Sequence, residues 1–181
     1  GEGGPDGMPL ARREDGGEVE SLVKAHVWGH PRGNFSSVFV FPYDSRTRTC
    51  SLIRQYCPGT GRRETSLPGG RWDGSSSARG GADLLEAART ELRAEAGLDG
   101  GTWVALCPDG IPQDANSKNR VHPFLVIDSQ MNMPLGGKDG VEVEHGVRLD
   151  EVMRRVYAGE MLGPAAMASM MALDKLNQLN L

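Results

Sequence analysis

LPGGRWDGSSSARGGADLLEAARTELRAEAGL, residues 67–98, is the stretch that decides the fold. It places two glycines, Gly69 and Gly70, before a polar loop and an amphipathic helix predicted over residues 82–96. Apolar residues recur along this helix at helical spacing, and Gly97 follows as a stop. The stretch therefore predicts a strand, a sharp glycine turn and a helix with an outward-facing charged side.

Two glutamates stand about one turn apart on this helix. Glu91 and Glu95 are four residues apart, so they share one helical face with about 5.4 Å of rise between them. Carboxylate oxygens on a rigid helix suit Mg²⁺, which fills its remaining positions with water and phosphate oxygens. Such a cation neutralises a diphosphate and activates water. Taken alone, the two acids also fit the solvated face of an amphipathic helix, balanced by Arg89 and Arg93.

The stretch resembles the Nudix box, a pattern that joins a strand, a loop, a helix and a second loop. In that pattern a glycine, five free residues, a glutamate and seven free residues precede Arg-Glu-hydrophobic-any-Glu-Glu-any-Gly-hydrophobic. Six positions of this sequence match the pattern: Gly70, Glu91, Leu92, Glu95, Gly97 and Leu98.

Three positions of the box differ. Thr90 stands where the pattern has arginine, and Ala94 replaces the first of the paired glutamates. The early glutamate is missing, because counting forward from the glycine reaches Ser76 and counting backward from Thr90 reaches Ala82. The difference corresponds to a six-residue insert. In Nudix enzymes the helix glutamates bind magnesium and the arginine holds the loop, and here Asp83, beside the vacant position, is a candidate additional metal ligand.

The resemblance extends beyond the box over about residues 22–180. SLIRQY and GRRETSLPGG, within residues 51–70, resemble the hairpin before the box in ADP-ribose and related nucleoside-diphosphate-sugar pyrophosphatases. CPDGIPQD (107–114) and VRLDEVMRRVYAGE (147–160) resemble later segments of the same enzymes. The insert and the missing arginine resemble a plant and algal branch. The resemblance implies an α/β fold, an α/β/α sandwich with a mixed sheet, over residues 19–181.

This resemblance implies a pyrophosphohydrolase of ADP-ribose or ADP-sugar type that uses Mg²⁺ or Mn²⁺, with Glu91 and Glu95 as catalytic metal ligands. Gly69 and Gly70 would approach the nucleotide diphosphate, and Trp72 would stack on its base. Arg54 is a candidate phosphate ligand, together with Arg62 and Arg63, although such arginines are commonly solvated surface residues. The degenerate box leaves a second hypothesis open, a catalytically weak or inactive Nudix-fold protein that serves as a structural or binding subunit.

Outside the box, the pattern predicts strands at residues 36–41, 50–56, 64–67, 103–107 and 121–128. Pro123 favours an edge position for the last of these. Two helices are predicted at 149–158 and 164–180, the second packing into the core through a stripe that includes Met167, Met170 and Met171. Residues 22–30 form a further candidate element. Residues 1–18 are rich in glycine and charge, which predicts a flexible arm.

Composition excludes several classes of function. Twenty basic against 24 acidic residues give a net charge of −4, which disfavours nucleic acid and anionic membranes as partners. No apolar run is long enough to cross a bilayer. Three cysteines without CxxC spacing favour a reducing intracellular compartment, with a plastid or mitochondrion as candidates after loss of a transit peptide. The expected partners are a nucleoside-diphosphate small molecule and either a protein assembly or a second copy of the chain.

Overall fold

The computed structural model describes residues 36–72, 80–113, 119–132 and 140–181, with the backbone alone at 80–83. The strands are β1 Ser36–Asp44, β2 Thr49–Cys57, β3 Arg62–Ser66, β4 Gly69–Trp72, β5 Leu98–Asp99, β6 Thr102–Ala105, β7 Ile111–Pro112, β8 Arg120–Ile127, β9 Gln130–Met131 and β10 Val141–Arg148. The helices are α1 Gly80–Glu91, continued by a π-helical turn Leu92–Ala96, α2 Leu149–Tyr157 and α3 Gly163–Leu179. The predicted arm at 1–18 and element at 22–30 lie outside the described residues.

A mixed sheet forms the centre of the molecule. Its main path runs β10-β2-β1-β8-β6, while β3 pairs with β2, β4 with β1 and β7 with β8. The pairing of β1 with β8 is parallel, from Ser36 beside Arg120 to Tyr43 beside Ile127, and the other pairings are antiparallel. β5 and β9 form a separate two-stranded pair. The predicted mixed sheet is confirmed.

Helices cover both faces of this sheet. Successive side chains of a strand point to opposite faces, so the central strands supply two separate cores. Val40 and Val126 pack with the apolar residues of α1 and the π-helical turn. Phe41 and Leu125 pack with those of α2 and α3. The predicted α/β/α sandwich is therefore confirmed, with α1 on one face and α2 and α3 on the other.

Pro123 does not mark a sheet edge, so that prediction is wrong. β8 lies inside the sheet, between β1 on one side and β6 and β7 on the other. Pairing with β6 reaches only as far as Phe124, and pairing with β7 begins at Val121. Pro123 thus falls in the break between two short partners, where its missing N–H removes no ladder hydrogen bond on that side.

The predicted stripe of α3 packs into the core only in part, because Leu173 and Leu176 of the same stripe do so and Met170 does not. Met170 is 48% exposed. Small residues let the helix lie close against the sheet, and the buried positions are Ala165, Ala168, Ser169, Ala172 and Leu176. No helix in the described part of the chain is long and apolar enough to cross a membrane.

Candidate functional site

The site begins at the glycine turn. Gly69 and Gly70 open β4, where they pair with Phe39 and Val38 of β1. A Cβ atom added at Gly69 would overlap the carbonyl oxygen of Val38 and crowd the Cα of Phe39. Because the neighbouring atoms belong to the backbone, they cannot rotate away. Close approach of two strands therefore requires glycine at this position.

Gly70 lies against the carboxylate of Glu91. A Cβ at Gly70 would overlap the side-chain carboxyl group of Glu91, the last residue of α1. Glu91 is half-buried. The missing side chain at Gly70 thus makes the room in which this carboxylate lies.

Glu95 reaches the same turn from the π-helical segment. It is only 3% exposed, and its Oε2 accepts a hydrogen bond of 2.9 Å from the backbone N–H of Gly69. Glu91 and Glu95 therefore converge on adjacent glycines, from the face of the sheet that α1 covers.

A single continuous α-helix was predicted over residues 82–96, but the helix changes type between the two acids. The α-helix ends at Glu91, and Leu92–Ala96 form a π-helical turn with Leu92 and Ala96 buried in the α1 core. Gly97 ends it in the left-handed conformation, with φ 67°, and donates its N–H to the carbonyl oxygen of Arg93 at 3.1 Å. The predicted glycine stop is confirmed. Single π-helical turns inside helices are frequent at functional sites.

Two of the three positions that depart from the box have described side chains, and both are exposed. Thr90 and Ala94 both face solvent on the helix. Neither places a charged group at the glycine turn. Asp83 lies within α1, but its side chain is outside what the structure describes. Residues 73–79, which include the first part of the insert, likewise lie outside the described residues.

Trp72 lies two residues after Gly70, at the end of β4 and beside Ser36. Residues two apart in a strand share a face, so Trp72 lies on the same side of the sheet as Glu91. Its indole Nε1 is buried and has no hydrogen-bond partner in the described part of the chain. A buried donor of this kind is costly unless a further group accepts its hydrogen bond.

The structure separates Arg54 from the two carboxylates. Arg54 is two residues from Leu52, which packs in the core beneath α2 and α3. Arg54 lines a hollow that also contains Glu144 of β10 and Arg155 of α2. It therefore lies on the sheet face opposite Glu91. Arg62 and Arg63 line the same hollow.

The donor set at the glycine turn fits a hard divalent cation. Two carboxylates lie against adjacent glycines, and Mg²⁺ commonly takes one or two protein carboxylates and completes its shell with water and phosphate oxygens. Among the side chains that the structure describes, no group of three or more His, Cys, Asp and Glu residues is arranged to hold a metal. A cation at this turn would thus take most of its ligands from water and phosphate oxygens and only a few from the protein.

A serine and a histidine that the sequence did not single out lie together at the other end of the sheet. Ser51 Oγ is 2.8 Å from His145 Nδ1, where a bulge shifts the register of β10. Both residues line a cavity of about 790 Å³. Burial lowers the pKa of His145. No sequence signal marks this pair, because its members are 94 positions apart.

Two solved structures are similar to this architecture. A crystal structure of an ADP compounds hydrolase matches with a TM-score of 0.65 and 18% identity over 80% of this chain and 74% of that chain. A structure of MutT, from work on the fish pathogen Aliivibrio salmonicida and the mesophile Vibrio cholerae, matches with a TM-score of 0.55 and 15% identity over 78% of this chain and 98% of that chain. The chain has the Nudix fold.

No family model matches the sequence, and no curated protein matches it. At 18% and 15% identity, the likeness to solved structures shows the fold, and a fold hosts more than one function. In this Nudix fold the strand, glycine turn and helix of the box-like stretch are β4 and α1. The two acids of this stretch therefore lie beside its glycine turn.

Proposed function

We propose that this chain is a divalent-cation-dependent pyrophosphohydrolase that acts on a nucleoside diphosphate linked to another moiety, of ADP-ribose or ADP-sugar type. One observation carries the proposal: within a Nudix fold, Glu91 and Glu95 converge on Gly69 and Gly70. The likeness of the fold to an ADP compounds hydrolase supports the choice of substrate class.

Glu91 and Glu95 would hold Mg²⁺ or Mn²⁺, with Asp83 as a candidate further ligand. When bound, the cation would neutralise diphosphate charge and lower the pKa of a coordinated water. Gly70 contributes by leaving space beside the carboxylate of Glu91. Glu95 has a second role, because its hydrogen bond to Gly69 fixes the backbone of the turn.

The nucleotide would lie on the α1 side of the sheet. The glycine turn lets the diphosphate approach the backbone closely. Trp72 is the aromatic side chain on this side of β4, where it can stack on a base. Its indole N–H, which has no acceptor among the described residues, is a donor for a ligand oxygen. Arg54 lies on the other face and is not part of this arrangement.

A second candidate function is a catalytically weak or inactive Nudix-fold protein that acts as a structural or binding subunit. The burial of Glu95 and its hydrogen bond to Gly69 favour it, since a carboxylate can be retained to hold a turn. Ala94 offers no carboxylate. Loss of one metal ligand removes several kcal/mol of transition-state stabilisation where the metal is the main catalyst, roughly a hundredfold or more in rate.

A substrate panel separates the two functions. Purified protein is incubated with ADP-ribose, ADP-sugars and related dinucleotides, with Mg²⁺ or Mn²⁺, and release of nucleoside monophosphate is measured. If the chain is an enzyme, we expect cation-dependent release of nucleoside monophosphate, which Glu91→Gln and Glu95→Gln should abolish. Glu86→Gln is the matched control, because Glu86 lies on the same helix but pairs with Arg93 at the surface. Absence of turnover and of calorimetric Mg²⁺ binding would favour the subunit.

A further inference from the structure

The sheet face opposite Glu91 carries a hollow of about 560 Å³, here called the arginine cavity. It lies between the β2–β3 hairpin and α2. Three glutamates and Thr65 contribute to its wall. Five arginines contribute as well: Arg54, Arg62, Arg63, Arg154 and Arg155.

Ion pairs hold four of these guanidinium groups in place. Arg155 binds Glu144 through two nitrogens, at 2.7 and 2.9 Å. Arg154 binds Glu160 in the same two-point manner, at 2.9 and 2.8 Å. Paired guanidinium and carboxylate groups of this kind have fixed geometry. Arg62 and Arg63 pair with Glu64 and Glu142, at 2.8 and 3.0 Å.

Arg54 is different from the other four. It is exposed, lies inside β2 beside Thr65 of β3, and forms no ion pair with any residue that the structure describes. Glu144 is near enough for Arg54 to contribute to lowering the pKa of that carboxyl group, after the stronger effect of Arg155. The cavity therefore presents one guanidinium group that no carboxylate of the described residues pairs with.

The charges around the cavity are balanced. Five arginines and three glutamates line it. Hydrogen bonds from arginine lower the pKa of Glu64, Glu144 and Glu160, so all three stay ionised near neutral pH. Two further acids that contact the arginines, Glu142 and Glu151, lie outside the wall. Five arginines therefore face five carboxylates, and Arg54 is the arginine of the cavity that has no carboxylate partner among the described residues.

We propose that the arginine cavity binds a compact oxyanion of the phosphate or pyrophosphate class, with Arg54 as its principal ligand. The planar guanidinium fork matches the oxygens of phosphate, and its charge does not depend on pH. Among the described residues, no aromatic or large apolar side chain lines the cavity, so the wall offers a base no aromatic ring and no apolar surface. The site requires no metal and is independent of the hydrolytic function proposed for Glu91 and Glu95.

The test measures binding of inorganic pyrophosphate, inorganic phosphate and AMP to the full chain by calorimetry, with EDTA present to remove divalent cations. We expect pyrophosphate to bind most tightly, and AMP to bind no more tightly than phosphate. Arg54→Glu should weaken pyrophosphate binding by at least about tenfold, since a charge-assisted hydrogen bond is lost. Arg54→Lys should recover part of the affinity, because it restores the charge without the fork.

Two matched controls make the result decisive. Arg46→Glu makes the same charge change at an exposed turn outside the cavity, and Glu95→Gln alters the other sheet face. Both should bind pyrophosphate as the unmodified chain does. Equal losses in Arg46→Glu and Arg54→Glu, or loss only in Glu95→Gln, would overturn the proposal. So would AMP binding far tighter than phosphate.

If Arg54→Glu does not fold, the site can be located in the unmodified chain by following its backbone amide chemical shifts by NMR as pyrophosphate is added. Pyrophosphate should then shift the amides of β2, β3 and α2 and leave those of α1 unchanged. Shifts confined to α1 would place the anion on the other face and refute the assignment. Failure of this test leaves cation-dependent turnover at Glu91 and Glu95 unaffected, so the two proposals fail separately.

Discussion

The carboxylate of Glu95 accepts a hydrogen bond of 2.9 Å from the backbone N–H of Gly69, across 26 positions of the chain. Glu95 is buried, and a buried N–H without a partner is costly. The next residue, Gly70, lies against the carboxylate of Glu91. One acid therefore anchors the backbone of the turn while the other lies beside it.

This hydrogen bond predicts different outcomes for two substitutions of Glu95. Glu95→Gln keeps a side-chain oxygen that can accept from Gly69, so the free energy of unfolding should change by no more than about 1 kcal/mol. Glu95→Ala leaves the half-buried N–H of Gly69 without this acceptor and should lower the free energy of unfolding by about 1 to 3 kcal/mol more. Urea unfolding followed by circular dichroism measures both. Equal losses in the two variants would show that the hydrogen bond does not stabilise the fold.

The glycines predict a graded series of alanine variants. Gly69→Ala must displace the backbone of β1 and should cost about 1 to 3 kcal/mol of stability. Gly70→Ala meets only the end of the Glu91 side chain, so it should cost less stability but weaken Mg²⁺ binding. Gly59→Ala is the control, because no atom lies within 4 Å of the added Cβ, and it should stay within about 0.5 kcal/mol. Thermal melting and Mg²⁺ calorimetry distinguish the three.

The ion pairs of α2 predict acid sensitivity. Hydrogen bonds from Arg154 and then Arg155 lower the pKa of Glu151 to about 2, from an ordinary value of 4.5. A carboxyl group whose pKa is lower in the folded state stabilises the fold above the unfolded pKa, and this contribution disappears as the pH falls from about 4.5 towards 2. The difference in unfolding free energy between the unmodified chain and Glu151→Gln should therefore shrink over that interval. A constant difference down to pH 2 is the contrary result.

His145 predicts a second pH dependence. Burial lowers its pKa below the ordinary value of 6.5, so the unfolded chain takes up its proton first as the pH falls. The contribution of neutral His145 to the free energy of unfolding is complete above pH 6.5. It is lost as the pH falls through the lower pKa that His145 has in the folded state. His145→Gln should lose less stability between pH 7.5 and 5 than the unmodified chain, measured as the urea midpoint.

A part of this pH dependence should remain in His145→Gln. Burial also lowers the pKa of His122, which packs against Gly110. Only a variant that replaces both His122 and His145 should lose the whole pH dependence of stability that these two histidines cause. Identical pH profiles for His145→Gln and the unmodified chain would mean that His145 has the same pKa in the folded and unfolded states.

Local patterns predicted the long elements better than the short ones. The hairpin of β1 and β2, the helices α2 and α3, and the stop at Gly97 follow from periodicity and turn residues. β5, β7 and β9 have two residues each and carry no periodic signal. The edge expectation for Pro123 failed because its partners break at that position, which depends on where β6 and β7 pair.

The sequence by itself determined that Glu91 and Glu95 share a helix with a glycine pair before it, since spacing within one helix is a local property. Only the tertiary structure decided that Glu95 is buried against Gly69 and that Arg54 belongs with Arg154 and Arg155 on the other face. These relationships join residues far apart in the chain. They depend on which helix covers which face of the sheet, and no local pattern encodes that choice.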